Sequence, residues 1–200
     1  DIVVDGLGSR RNGTQRAIRE LAGEVTLAFA ASGNSLQRWM QEARRAGHEI
    51  LLQLPLEPFD YPQNDPGPYT LRTDMSEAQN LAELHRAMAR ITNYTGVVNF
   101  MGGRFLSNAD ALEPVMRDVA SRGLLFLDDA SSAQSLSGTI AGAVSAPHAF
   151  ADLQLDADLS RTAVLKKLDE LERIARRNGT AIGIASAFDE SVDAIREWCE

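Results

Sequence analysis

The sequence predicts an α/β fold in which seven parallel β-strands alternate with helices and close into a (β/α) barrel. Short apolar runs alternate with amphipathic segments from one end of the chain to the other. Most of these runs are continuously apolar, as is typical of parallel strands that are covered on both faces. No linker or low-complexity segment interrupts the pattern, so we expect residues 1–200 to form one domain. An open, doubly wound sheet is the alternative closure of the same elements.

Each predicted strand is a short, mainly aliphatic run that is followed by a helical pattern or by a gap long enough for a helix. The first of them, Ile2 to Val4, begins one residue into the sequence. The seven predicted strands cover residues 2–4, 25–29, 49–54, 95–98, 124–127, 149–153 and 181–184.

Capping signals mark the predicted helices between these strands. The clearest is Ser76, which is followed three residues later by Gln79, so that the two residues form a capping box. Ser160 and Gly179 bracket the longest helical pattern. The predicted helices cover residues 34–47, 76 onward, 114–123, 160–179 and 190–199.

Charge and hydropathy exclude several classes of partner. The chain has 20 Lys and Arg residues against 28 Asp and Glu residues, which gives a formal net charge of −8. No basic stripe offsets this charge, so we expect no nucleic-acid partner. No apolar run approaches the roughly 20 residues that cross a bilayer, so we expect no membrane span. The sequence starts within a predicted strand and carries no leader, and we expect it to be a fragment trimmed at a domain boundary.

Polar residues at or just after the carboxyl ends of the predicted strands are the candidate site residues, because the sites of α/β proteins form there. The residues that we single out are Asp5, Glu57, Asn99, Arg104 and Asp128. The simpler interpretation is that each is a polar loop residue or a helix N-cap. That interpretation is weakest for the three carboxylates, since Asp5 ends a buried run and prolines flank Glu57.

Glu57 lies on a loop that prolines stiffen. Five of the seven prolines of the chain fall within residues 55–68, and Pro55 and Pro58 flank Glu57. Proline fixes its own φ angle and restricts the residue before it. Long loops in compact domains are often functional, so we interpret Glu57 as a side chain that is held in place at the barrel mouth.

The histidines and the cysteine do not form a predicted metal site. His48 and His148 precede predicted strands and His85 lies inside a predicted helix, so none is expected at the carboxyl face. No two histidines have the spacing of a zinc motif, and Cys199 is the single cysteine. We therefore predict that the histidines are structural and that imidazole or thiolate ligands hold no metal.

Five segments, in this order, carry a resemblance to a known family. They read DIVVDGLG, GHEILLQLPLEPFDYPQNDPGP, VVNFMGGRF, RGLLFLDDASS and NGTAIGIASAFDESVDAI. Together they resemble the divergent polysaccharide deacetylase family of bacteria, which is related to the NodB-type carbohydrate esterases. The resemblance covers nearly the whole chain and implies a distorted, seven-stranded (β/α) barrel. It also implies an exported, periplasmic or envelope-anchored location.

The sequence departs from the family's motifs at the positions that would hold a metal. In the related deacetylases an Asp and two His bind a divalent metal, which polarises the acetamide carbonyl and activates a water. The resemblance implies that Asp5 is the general base, and the family's motifs also contain Glu57, Asn99, Arg104 and Asp128. Four other motif positions, where the family has Asp or commonly His, carry Gly6, Gln53, Phe100 and Ser186.

Two functions follow from these residues. In the first, the chain hydrolyses the acetamide of an N-acetylated cell-envelope glycan, with Asp5 as the base and Arg104 or Asn99 steadying the oxyanion. Such an enzyme would use no cofactor, or it would use a Mg²⁺ or Ca²⁺ ion held by the carboxylates of Asp5, Glu57 and Asp128.

In the second, the chain is a non-catalytic module that binds a glycan or a protein partner, and the missing histidines favour this mechanism. The polar residues would contact the ligand or hold the cleft, for example through an ion pair between Glu57 and Arg104. Aromatic residues near the rim would stack on sugar rings or pack the loop down. These residues are Phe59, Tyr61, Tyr69, Phe100 and Phe105.

Overall fold

A computed structural model describes all 200 residues, Asp1–Glu200, as strands and helices that alternate along the chain. The strands are β1 (Ile2–Leu7), β2 (Thr26–Ala30), β3 (Ile50–Leu56), β4 (Gly96–Met101), β5 (Leu125–Asp128), β6 (His148–Phe150), β7 (Leu153–Gln154) and β8 (Gly183–Ser186). They form one sheet in the order β6-β5-β4-β3-β2-β1-β8-β7, and every neighbouring pair is parallel.

The sheet curls into a half-barrel, and its two edge strands, β6 and β7, lie on either side of the remaining gap. Residues 149–153, predicted as one strand, change partner in the middle. The amide of Ala151 donates to the carbonyl of Asp128 beside β5 (2.8 Å), whereas the amide of Asp152 donates to the carbonyl of Ile182 beside β8 (2.7 Å). The barrel-like α/β fold is therefore confirmed, but the predicted number of seven strands is wrong, because one apolar run supplies two short strands.

The interior of the half-barrel is a small apolar layer to which nearly every strand contributes one residue. Because side chains alternate along a strand, the residues of opposite parity face the helices instead and join the larger core. Each strand thus has both faces covered, which explains its continuously apolar sequence. The interior layer consists of Val3, Ala28, Leu51, Val98, Leu127, Ala151 and Ile184.

Eight helices pack on the outside of the sheet. They are α1 (Arg11–Glu20), α2 (Leu36–Arg45), α3 (Glu77–Met88), α4 (Gly103–Leu106), α5 (Ala109–Ser121), α6 (Ser137–Val144), α7 (Arg161–Asn178) and α8 (Asp189–Cys199). None of them combines the length and the apolar character that a membrane span needs.

The predicted caps account for the ends of two helices, and one predicted start is wrong. The capping box of Ser76 and Gln79 opens α3, and Gly179 ends α7 in the left-handed region with a φ of 88°. Helix α5 begins at Ala109 rather than at Pro114, because the side chain of Asn108 accepts from the amide of Ala111 (3.0 Å) and caps the helix there.

Candidate functional site

A cleft of about 300 Å³ opens at the carboxyl ends of the central strands. Side chains two residues apart on a strand point to the same side of the sheet. The floor of the cleft is therefore formed by the residues that follow the apolar interior layer by two positions. This step leads from Val3 to Asp5 on β1 and from Leu51 to Gln53 on β3. The same step on β4 and β8 gives Phe100 and Ser186, and all four floor residues line the cleft.

Asp5 is the only carboxylate that lines the cleft. Its Oδ1 accepts a hydrogen bond from Ser186 Oγ (2.6 Å), and no protein group bonds its Oδ2. Burial raises the pKa of Asp5 to about 7; the Ser186 bond opposes this rise, and the charges of Asp156 and Asp129 add to it. The Asp5 side chain therefore changes charge near neutral pH.

Gln53 joins β3 to the end of β1. Its Oε1 accepts a hydrogen bond from the backbone amide of Gly6 (3.1 Å), at a point where Gly6 adopts a φ of 75°. The Nε2 group of Gln53 donates to no protein acceptor, although the residue is only 5% exposed and lines the cleft. The floor of the cleft therefore offers one free amide donor and one free carboxyl oxygen, Asp5 Oδ2.

The residues in the cleft do not fit the metal site that the family resemblance implies. The four departing positions all lie there. Gly6 and Phe100 have no ligand atom, Gln53 Oε1 is bonded to the Gly6 amide, and Ser186 Oγ donates to Asp5. No three His, Cys, Asp or Glu side chains anywhere in the molecule are arranged to hold a metal ion. The positions that would supply the metal ligands thus supply none.

The Mg²⁺ or Ca²⁺ ion considered from the sequence also has no site, because Asp5, Glu57 and Asp128 lie in different surroundings and do not converge. Glu57 Oε1 accepts from the amide (2.8 Å) and the hydroxyl (2.7 Å) of Thr73, so it fastens the Pro-rich loop to the chain that follows it. Arg104 Nη2 donates to the carbonyl of Phe59 (2.6 Å). Glu57 and Arg104 therefore do not form the ion pair considered from the sequence, and neither residue lines the cleft.

Asn99 is fully buried and uses both ends of its amide within the protein. Its Nδ2 donates to the carbonyl of Met101 (2.8 Å) and to Asp129 Oδ1 (3.0 Å), and its Oδ1 accepts from the amide of Asp129 (2.8 Å). The side chain thus ties the end of β4 to the loop after β5. It has the same parity as the helix-facing residue Val97, so it points away from the cleft.

Asp128 is the centre of a polar cluster on the helix-facing side of β5. It is fully buried; its Oδ2 accepts from Ser135 Oγ (2.7 Å) and Ser137 Oγ (2.5 Å), and its Oδ1 accepts from the amide of Ala130 (2.8 Å). Ser137 Oγ lies 2.8 Å from His148 Nε2. Burial lowers the pKa of His148, and the neighbouring Asp128 partly offsets this effect. These bonds hold α6 and β6 against β5.

The structure thus brings Asp5 alone, of the five residues singled out from the sequence, to the cleft, and it adds others. Phe188 and Arg10 lie at the rim, where the Arg10 guanidinium stands 5.1 Å from the centre of the Phe188 ring. Of the five aromatic residues proposed from the sequence, Phe100 lines the cleft, whereas Phe105 is fully buried. The sequence offered one signal for Phe188, because it follows Ser186, at the end of β8, by two positions.

This architecture and the comparison of sequences define the family. The chain belongs to the divergent polysaccharide deacetylase family, whose sequence profile matches residues 2–200.

Similar proteins occur in three bacteria. Uncharacterized protein YibQ of Escherichia coli K12 is 24% identical over 98% of this chain, and an uncharacterized protein of Haemophilus influenzae Rd is 25% identical over the same share. The chain spans 60% of the length of the first protein and 69% of the second. The crystal structure of uncharacterized protein ATU2773 from Agrobacterium tumefaciens C58 is 66% identical and superposes with a TM-score of 0.97, covering 98% of this chain and 80% of that chain.

Proposed function

We propose that this chain recognises an N-acetylated glycan of the cell envelope in the cleft around Asp5, without hydrolysing it through a bound metal. One observation carries the proposal: the mouth of a deacetylase-family barrel is retained, while four of its motif positions hold Gly6, Gln53, Phe100 and Ser186. A Lewis acid supplies several kcal/mol in the metal-dependent reaction, and these side chains have no ligand set to replace it. An exported location belongs to the same proposal, since such glycans lie outside the cytoplasm.

The free polar groups of the floor match an acetamido group. Gln53 Nε2 is a donor without a protein partner, and Asp5 Oδ2 is an acceptor without one. An acetamide presents one carbonyl acceptor and one N–H donor, so it can satisfy both groups. The pair would distinguish N-acetylated from de-N-acetylated sugars, because a buried polar group left without its partner is costly.

Aromatic side chains provide the apolar part of the same site. Phe100 lines the floor of the cleft and is 36% exposed, and Phe188 lies at its rim. The flat apolar face of a sugar ring packs on such rings. This use of Phe100 explains an exposed aromatic residue at the end of an otherwise buried strand, β4.

Titration calorimetry tests the proposal with two oligosaccharides of equal length, one N-acetylated and one fully de-N-acetylated. We expect the N-acetylated glycan to bind at least about tenfold more tightly. Phe100→Ala should weaken its binding about fivefold or more. Phe150 is a matched control, because it is 46% exposed and lies outside the cleft, so Phe150→Ala should bind as the wild type does. Equal affinity for the two glycans, or equal losses in the two variants, would remove the basis of the proposal.

Metal-independent hydrolysis is a second candidate function, and one observation favours it. The pKa of Asp5 is raised to about 7, which is the range of an efficient general base at neutral pH. Gln53 Nε2 is the free amide donor on the floor of the cleft that would stabilise an oxyanion. Release of acetate from the N-acetylated oligosaccharide in the presence of a chelator would favour this candidate over recognition alone.

A further inference from the structure

Three arginines without a carboxylate partner lie beside the cleft. Arg10, Arg11 and Arg38 are all exposed, and none of them takes part in an ion pair. Nine other arginines of the chain pair with carboxylates, and six more, which are Arg19, Arg45, Arg90, Arg104, Arg173 and Arg177, do not. What distinguishes Arg10, Arg11 and Arg38 is that they lie together beside the cleft.

These arginines line two recesses that continue the cleft along its rim. One recess, of about 310 Å³, is lined by Arg10, Arg11 and Phe188 among others, and it shares Arg10 and Phe188 with the cleft. The other, of about 330 Å³, is lined by Arg11 and Arg38, and it shares Ser9 with the cleft. We call this continuous surface around Arg10, Arg11 and Arg38 the arginine surface.

The arginine surface contains one carboxylate against three guanidinium groups. Asp189 is the only acidic residue that lines either recess, and its Oδ1 already accepts a hydrogen bond from Arg16 Nη1 (2.9 Å). Helices α1 and α2, which begin at this surface, have no acidic residue in their first turns, whereas α8 has Asp189 and Glu190 there.

Two of the three guanidinium groups are held over aromatic rings. Arg10 stands 5.1 Å from the ring centre of Phe188, and Arg38 stands 4.8 Å from that of Trp39. A planar guanidinium that is stacked on a ring keeps its edge N–H groups available for an anion. The surface therefore presents two guanidinium groups beside rings to a carboxylate or a phosphate, both of which arginine binds with paired hydrogen bonds.

We propose that the arginine surface binds a carboxylate or phosphate group carried by the glycan that occupies the cleft, so that the ligand is an acidic N-acetylated glycan. This inference rests on the proposed function, because it extends the same binding site. It adds the chemical class of the ligand: sugars with acidic substituents beside the acetamido sugar that contacts Asp5 and Gln53.

Three oligosaccharides of equal length test the inference by titration calorimetry on the full chain. One is neutral and N-acetylated, one has alternate sugars with a carboxylate (N-acetylmuramic acid), and one has a terminal phosphate. We expect at least one acidic glycan to bind about tenfold more tightly than the neutral one at low ionic strength, and this advantage should shrink as salt screens it. Whichever acidic glycan binds more tightly shows whether the arginine surface prefers a carboxylate or a phosphate.

Substitutions separate the arginine surface from the cleft. Arg11→Gln and Arg38→Gln should each reduce the affinity for the acidic glycan about three- to tenfold, while the affinity for the neutral glycan stays unchanged, because neither side chain lines the cleft. Arg45→Gln is the matched control, because it removes the same charge. Arg45 is exposed and lies at the opposite end of α2 from Arg38.

The outcomes distinguish this inference from the proposed function. If the neutral and acidic glycans bind equally, or if Arg45→Gln weakens the acidic glycan as much as Arg11→Gln does, the arginine surface has no specific role and glycan recognition still stands. If none of the three glycans binds, the proposed function fails and the inference fails with it.

Discussion

Asp5→Asn is expected to raise the free energy of unfolding at pH 8 by about 1–3 kcal/mol. Burial raises the pKa of Asp5 to about 7. At pH 8 the folded protein therefore holds an ionised carboxylate that would be better solvated by water in the unfolded chain. Between pH 4 and pH 7 the folded state binds more protons at this site than the unfolded state does, and the stability of the wild type therefore falls as the pH rises through about 7. Asparagine has the same shape, carries no charge and can still accept the Ser186 bond.

Urea unfolding at pH 5 and pH 8 measures this effect. The advantage of Asp5→Asn should be clearly smaller at pH 5 than at pH 8, and it should vanish only below about pH 4, where the carboxyl is protonated in both the folded and the unfolded state. Asp60→Asn serves as the control, because Asp60 is an exposed carboxylate with no side-chain hydrogen bond, and its effect should be within about 0.5 kcal/mol at both pH values. The same Asp5→Asn variant should lose glycan affinity, and a variant that is neither stabilised at pH 8 nor impaired in binding would remove Asp5 from the account.

Asp128→Ala is expected to lower the free energy of unfolding by about 3–4 kcal/mol. The substitution removes the shared acceptor of the Ser135 and Ser137 hydroxyls and of the Ala130 amide. Of these three donors, Ser137 Oγ still has His148 Nε2 at 2.8 Å. The substitution also leaves a gap beside the fully buried Ser137. Chemical denaturation of the variant, monitored by the fluorescence of its two tryptophans, gives the measurement.

Ser135→Ala shows how much of the effect comes from losing a single hydrogen bond of the Asp128 cluster. Ser135 is only partly buried and donates one hydrogen bond to Asp128, so its removal should cost about 1 kcal/mol. If Asp128→Ala were as mild as Ser135→Ala but abolished glycan binding, Asp128 would be a ligand contact, as the sequence predicted. A large loss of stability with unchanged glycan affinity of the folded fraction would assign it a structural role.

The sequence predicted most of the strands, their parallel arrangement and the face on which the candidate cleft lies, because these depend on local patterns. A continuous apolar run indicates a strand that is covered on both sides, and Asp5 at the end of such a run lies where α/β sites form. The division of residues 149–153 was not predictable in this way. Ala151 and Asp152 continue a strand-like pattern, and only the tertiary structure gives them different partners.

The candidate site was predicted less well than the fold, because side-chain partners distant in sequence decide it. Glu57 is flanked by prolines, but its carboxylate bonds Thr73, 16 residues away. Asn99 lies at the end of β4, yet the parity of its position turns it from the cleft toward Asp129. Parity along the strands would have selected Gln53 and Ser186 instead, since both follow interior residues by two positions.

The metal content of the purified protein tests the central claim most directly. The protein would be exposed to zinc, manganese, magnesium and calcium, dialysed and analysed for bound elements. Because Gly6, Gln53, Phe100 and Ser186 supply no ligand set, the account predicts no near-stoichiometric metal in the wild type. Near-stoichiometric metal that is retained by the wild type and lost in Asp5→Asn would contradict it, and it would show that the cleft is a metal centre after all.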